Sequence, residues 1–130
     1  MKTKIAILFI IVITLSECKP DNNTQKSPIL SLENDIIDIG KVKTGDSIVV
    51  KVNIKNIGTD TLKISNIGYS CGCTNGKLSK KNILPKDTTT LFITFKNEEN
   101  DNLSINKSVI LENNTKEPFK VIRLVGKSQL

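Results

Sequence analysis

The residues best placed for chemistry in this chain are Cys71 and Cys73, separated only by Gly72 and flanked by Ser70 and Thr74. Two thiols at that spacing can form a disulfide, hold a soft metal, exchange electrons as a dithiol, or simply pack. In an extended strand, positions i and i+2 point to the same side, with Cα atoms roughly 6.6 Å apart. A disulfide accepts that separation only at its upper edge and needs Cβ atoms about 3.8 Å apart. The chain must therefore bend, and Gly72 is the residue that lets it. Closing so short a loop removes little unfolded-state entropy, so the expected bridge is strained, reducible and a weak staple. For a metal, two thiolates fill half of a tetrahedral zinc shell, and the sequence holds no histidine to complete it. Two-coordinate Cu(I) is the ion that would suit a soft pair. A nucleophilic thiolate would need a depressed pKa, and neither a histidine partner nor a helix N-terminus is in view. A structural role ranks first, a redox-sensitive pair second and a metal third, with no resident metal or cofactor expected.

The third cysteine, Cys18, has a different setting. Lys2 and Lys4 precede a run of 11 residues, Ile5 to Leu15, that is apolar but for Thr14, which has the layout of a signal peptide. A permanent membrane span needs about 20 apolar residues, so this run is too short to be one. Leu15-Ser16-Glu17-Cys18 resembles a bacterial lipobox, in which the cysteine sulfur takes a diacylglyceryl group and becomes the mature N-terminus. Leu15 and Ser16 fit that pattern; Glu17 departs from it, because Gly, Ala or Ser normally stands there. From Lys19 to about Pro28 the chain is polar and carries a proline near each end, a composition suited to a tether. The expected organisation is a signal peptide over 1–17, a lipidated N-terminus and tether over 18–28, and a folded domain over 29–130. Export makes an oxidised Cys71–Cys73 pair chemically reasonable. The expected location is the cell envelope, with the membrane contacted through lipid on Cys18.

Other chemistry is poorly supplied. Without histidine there is no Ser-His-Asp or Cys-His arrangement, and no Gly-rich phosphate loop or metalloprotease motif appears. Glu98-Glu99 sits in a polar stretch, Asn97–Asn102, where solvation is the default. The chain carries a net charge of +6; losing Lys2, Lys4 and Glu17 leaves +5. Its lysines are scattered and its aromatics few, so neither the basic stripe nor the stacking platform of a nucleic-acid binder is present. The expectation is a non-catalytic binding or structural module with an envelope protein or glycan as partner. A thiol-redox or copper-handling role is the alternative.

The elements that must position Cys71 and Cys73 read as strands. Ile48, Val50, Val52 and Ile54 alternate with mostly polar neighbours; Leu91, Ile93 and Phe95 do the same. Val109 and Leu111 share a face, as do Ile122 and Leu124. Turn residues separate these runs at Thr44-Gly45-Asp46, Gly58-Thr59-Asp60, Asn75-Gly76, Pro85-Lys86-Asp87 and 112–118. About seven short strands in ~100 residues, with no helical period, indicate an all-β sandwich or barrel. Leu62 and Ile64 hold even positions but Ile67 and Tyr69 odd ones, which predicts a bulge or break near Ser65–Gly68, relieved by Gly68.

Asn56-Ile57-Gly58-Thr59-Asp60-Thr61-Leu62-Lys63-Ile64, followed by Ser70-Cys71-Gly72-Cys73-Thr74, resembles the bacterial family called domain of unknown function 1573, common in lipoproteins and secreted proteins of Bacteroidota. The similarity extends from about Val42 to Ser128. It implies a single immunoglobulin-like β-sandwich related in shape to docking modules, and no established activity. Lys86 stands where the family usually has Gly after Pro85, which suggests a different turn type at that corner. Asp46-Ser47-Ile48, Asp60-Thr61-Leu62 and Asp87-Thr88-Thr89 resemble the O-glycosylation triplet of Bacteroidota, with Ser47, Thr61 and Thr88 as acceptors; Asp before Ser or Thr is also ordinary turn chemistry.

Overall fold

A computed structural model of the chain describes residues 25–100 and 103–130. The expected signal segment, Cys18 and the tether up to Thr24 lie outside the described residues.

Alternation of apolar and polar side chains becomes two facing sheets. Among the described residues there are nine strands: β1 (Leu30–Leu32), β2 (Ile36–Lys43), β3 (Ser47–Asn56), β4 (Leu62–Tyr69), β5 (Thr74–Leu78), β6 (Asn82–Ile83), β7 (Thr88–Lys96), β8 (Ser104–Asn113) and β9 (Phe119–Gln129). One sheet runs β1-β3-β7-β5 and the other β2-β9-β8-β4-β6. All pairings are antiparallel except β2 with β9. The fold is an all-β, immunoglobulin-like sandwich. The short β1 and β6 take the number past the expected seven, and β2 and β5 were likewise not among the runs picked out. Strand β1 exists because the chain changes sheets at Glu33-Asn34-Asp35, so that one N-terminal stretch supplies an edge to each sheet.

The inward parity holds along every described strand but β2 and β4, where the register shifts. Ile54, Leu62, Ile93, Phe95, Leu111 and Leu124 are wholly inaccessible to solvent, and each such side chain contributes ~1.5–3 kcal/mol by leaving water. The parity change in β4 is resolved at Ser65: Ile64 pairs with Asn113 and Asn66 with Glu112, leaving Ser65 as the extra residue. Gly68 does not relieve it, since the glycines with positive φ are Gly40 and Gly45. Hydrogen bonds also reach back into the segment expected to be tether, where Thr59 N donates to Ser27 O at 2.9 Å and Ser27 N to Thr59 Oγ1 at 3.2 Å.

Two turn expectations are corrected. Asn75-Gly76 is not a turn but the middle of β5, paired with Thr94 and Ile93. Glycine is there because Tyr69 crosses over it: a Cβ at Gly76 would lie 3.0 Å from the Tyr69 hydroxyl, which donates to Gly76 O at 3.2 Å. At Pro85-Lys86 the turn keeps the glycine geometry without the glycine. Asp87 N donates to Leu84 O at 3.0 Å, and Lys86 itself takes φ of +68°. A side chain in that region costs about 1–2 kcal/mol, against ~0.5–1 kcal/mol of extra chain entropy for glycine. Lys86→Gly should therefore stabilise the fold by roughly 0.5–1 kcal/mol, raising the melting temperature by a few degrees in thermal unfolding.

Asp87, next in sequence, makes an ion pair with Lys80. That hydrogen bond, helped by the Thr88 N–H, holds its carboxyl below the ordinary value of 3.8. A pKa lowered by folding stabilises above the unfolded value and ceases to do so as pH falls through the folded one. Asp87→Asn should lower the melting temperature slightly at neutral pH, the difference from the parent protein shrinking away as pH falls below about 4; it is small because an exposed pair contributes little.

Candidate functional site

The Cys-Gly-Cys segment is the crossover from β4 in one sheet to β5 in the other, at one end of the sandwich. It is fixed on both flanks. Ser70 N donates to Ser108 O at 3.0 Å, and Lys96 N donates to Cys73 O at 2.9 Å; Ser108 N donates to Ser70 Oγ at 2.8 Å. The bend brings the Cα atoms of Cys71 and Cys73 to 5.2 Å, and the two sulfurs are joined as a disulfide. Buried Thr74 sits beneath them, its Oγ1 3.3 Å from Cys71 Sγ and 3.9 Å from Cys73 Sγ. With both sulfurs oxidised, the hydroxyl is the donor. In this state no thiolate is available to a metal, and no group of three His, Cys, Asp or Glu side chains is placed to hold an ion among the described residues.

Beside this crossover lies a polar latch that the reading of 97–102 as a solvated stretch missed. Asn97 is wholly buried; its Nδ2 donates to Val42 O and Ser128 Oγ, both at 2.8 Å. Glu99 is not left to solvent: its carbonyl accepts from Thr44 Oγ1 at 2.8 Å and Ser128 Oγ at 3.0 Å, and its carboxylate pairs with Lys107 at 2.6 Å. Matching latches close the opposite end. Asn56 and Asn113, both buried, accept from the backbone N–H two residues on, at 3.0 Å from Gly58 and 2.9 Å from Thr115. Asn97 does the same with Glu99 at 3.1 Å. The signal was in the sequence: each asparagine continues the inward parity of its strand, after Ile54, Phe95 and Leu111.

The residues of the three Asp-Ser/Thr triplets are not brought together. Ser47 is exposed at the crossover end; Thr61 is half-buried and Thr88 exposed at the other. Asp60 and Asp87 each accept from the next backbone N–H, at 2.7 and 2.8 Å, which is the turn role of that dipeptide.

One surface feature went unread. On the outer face of the five-stranded sheet, Ile110 is paired with Val121 and flanked by Gly68, while Phe119 follows two residues before Val121. They are 37%, 41% and 63% exposed. Apolar residues at the polar parity of two adjacent strands were the signal.

The model of a family described as protein of unknown function, DUF1573, matches residues 30–128, from β1 almost to the end of β9. The chain belongs to the DUF1573 family. No curated protein matches it. Among solved structures, this DUF1573 chain is similar to a protein of unknown function from Porphyromonas gingivalis W83, with a TM-score of 0.67 at 16% identity over 78% of this chain and 47% of that one. It also resembles the PapD-like domain 7 of human CEP192, with a TM-score of 0.57 at 15% identity, over 78% and 86% of the two chains. The secreted serine protease VesC of Vibrio cholerae superposes with a TM-score of 0.56 at 11% identity, over 80% of this chain and 23% of the protease. The chain thus spans about half of the Porphyromonas protein and under a quarter of VesC. At these identities the likeness is one of fold alone.

Proposed function

We propose that this protein is a lipid-anchored module of the bacterial cell envelope that binds or braces an envelope protein or glycan and catalyses nothing. The observation that carries the binding role is the apolar patch of Ile110, Phe119 and Val121 on a sheet face whose other positions are mostly polar. Contiguous exposed apolar side chains on a soluble domain mark contact surfaces. Support for the passive role comes from the polar residues: Asn56, Asn97, Asn113 and Ser128 are engaged in holding turns. The VesC likeness does not bring proteolysis with it, because this chain has no histidine for a serine-protease triad.

The anchor and the partner are separately testable. The intact mass of the protein from a membrane fraction should report cleavage before Cys18, the diacylglyceryl group and any glycan at Ser47, Thr61 or Thr88. Crosslinking in intact envelopes should recover a reproducible partner that Ile110→Ser with Val121→Ser loses. Repeated recovery of the same proteins by that variant would remove the patch from the reading.

A second reading, thiol exchange at Cys71 and Cys73, is favoured by one observation: both cysteines of the bridge are only partly buried, in a loop at the edge of the core. Differential alkylation should then find both thiols labelled after mild reduction of the folded protein. Labelling that requires denaturation would end it.

A further inference from the structure

The two ends of the sandwich differ in charge. The end from which the chain leads back to Cys18 is built from 25–29, 55–63, 79–87 and 113–118. Those segments hold seven lysines against the three carboxylates of Asp60, Asp87 and Glu117. The crossover end, built among the described residues from 43–47, 70–74, 96–100, 103–104 and 127–130, holds three lysines against three acidic side chains. Apolar side chains project among the lysines at the first end: Ile29, Ile57 and Leu84 are 46%, 55% and 61% exposed. They are neighbours, since Ile57 N donates to Ile29 O at 3.0 Å, and Lys86 N donates to Asn56 O at 2.8 Å, which ties the turn after Leu84 to the same corner. Lys116 borders the hollow beside Ile29, and Lys26 borders the adjoining one.

We infer that this end of the sandwich is a docking surface for anionic phospholipid, with Ile29, Ile57 and Leu84 dipping into the headgroup layer and Lys26, Lys86 and Lys116 pairing with its phosphates. The occupant is argued from where the chain goes. Ser27 follows Cys18 by nine positions, and a fully extended chain of that length reaches at most about 30 Å. A lipid on Cys18 therefore holds this end within about 30 Å of the bilayer surface and makes it the end nearest the anchor. Exposed apolar side chains ringed by lysines are the chemistry that an anionic interface recognises. The attraction acts within about 10 Å at ordinary salt, a gap the tether spans easily. Docking would point the disulfide crossover away from the membrane and present the sheet faces sideways to partners. This orientation rests on the lipid-anchor reading, but the surface itself does not, so the two can fail separately.

The test uses the chain from Cys18 to Leu130 without its lipid; among the described residues every strand and every core residue lies between Leu30 and Gln129, so that chain keeps the described fold. Its co-sedimentation with vesicles of phosphatidylcholine alone is compared with vesicles containing about one-third phosphatidylglycerol, at about 0.1 M and 0.5 M salt. The expected result is binding to the anionic vesicles only, weakened at the higher salt. The set Lys26→Glu, Lys86→Glu and Lys116→Glu should weaken it about tenfold or more, and Ile57→Ser with Leu84→Ser should also reduce it. The control set Lys43→Glu, Lys96→Glu and Lys127→Glu, at the crossover end, should leave it unchanged. Circular dichroism of each variant keeps misfolding apart from lost affinity. No binding to anionic vesicles, or equal loss from the two charge-reversed sets, would overturn the inference. Vesicle binding by a chain whose native mass carries no lipid would leave the docking surface standing and remove the anchor.

Discussion

Replacing Asn56 by alanine is expected to cost about 3 kcal/mol of unfolding free energy, enough to lower the melting temperature by roughly 15 °C in a domain of this size. The side chain is wholly buried and answers four backbone groups. Its Nδ2 donates to Asp60 O at 2.7 Å and Ile83 O at 2.9 Å. Its Oδ1 accepts from Gly58 N at 3.0 Å and Ile29 N at 3.3 Å. These four groups belong to three segments: the β1 approach, the β3–β4 connection and β6. Alanine leaves them without side-chain partners, and water reaches only those nearest the rim. Asn56→Asp tests the donor half alone. It keeps the accepting oxygen but points a carboxylate at two carbonyls, so it should be destabilising at neutral pH and less so near pH 4, where a protonated carboxyl can donate again. Chemical denaturation of the two variants at both pH values measures this. A loss below ~1 kcal/mol for alanine would mean that the latch is decorative.

That latch also marks how far the sequence could be read. The strands were legible because burying one face imposes a period of two, and Leu91-Ile93-Phe95 or Ile122-Leu124 can satisfy it only one way. The crossover cysteines were legible because few residue types carry sulfur chemistry. Asn113 was read as part of a turn, Asn97 as the start of a solvated stretch and Asn56 only as part of the family motif; that each stands at inward parity gives it a second role that composition hides. The short strands β1 and β6 were not legible, because runs of three and two residues set no period. Gly76 misled for a similar reason. Asn-Gly is the strongest hairpin dipeptide, but here the glycine answers a tertiary demand, the passage of Tyr69 from the opposite sheet. Lys86 misled in the other direction: a missing glycine suggested another turn, whereas the hydrogen bonds on either side of Lys86 impose the left-handed conformation on lysine. The apolar patch at Ile110 and Val121 was overlooked because a single apolar residue at a polar position is common. Its meaning depends on the strand next door.

The substitution Gly58→Ala should do comparable damage by another route, and it connects the fold to its N-terminal segment. A Cβ at this position would meet Ser27 O, Ile29 N and Pro28 C, all of them backbone, so no side chain can rotate away. Overpacking of this kind typically costs 1–3 kcal/mol and more where the backbone must move. The segment that can yield is 27–29, held by Thr59 N to Ser27 O and Ile57 N to Ile29 O. Pushing it off also draws Ile29 N away from Asn56 Oδ1 and loosens β1, whose partners are Ile54 to Asn56. We expect a loss of about 2–4 kcal/mol with a local signature: faster amide exchange at Leu30–Leu32 and new proteolysis after Lys26, while the β8–β9 pairing stays protected. Uniform loss of protection across both sheets would mean instead that segment 27–29 holds the whole sandwich together. The distinction bears on the proposed orientation, because a lipid on Cys18 would favour one end only if the sandwich grips residues 27–29 rigidly. A domain that releases them gains several residues of slack and loses the preference for one end.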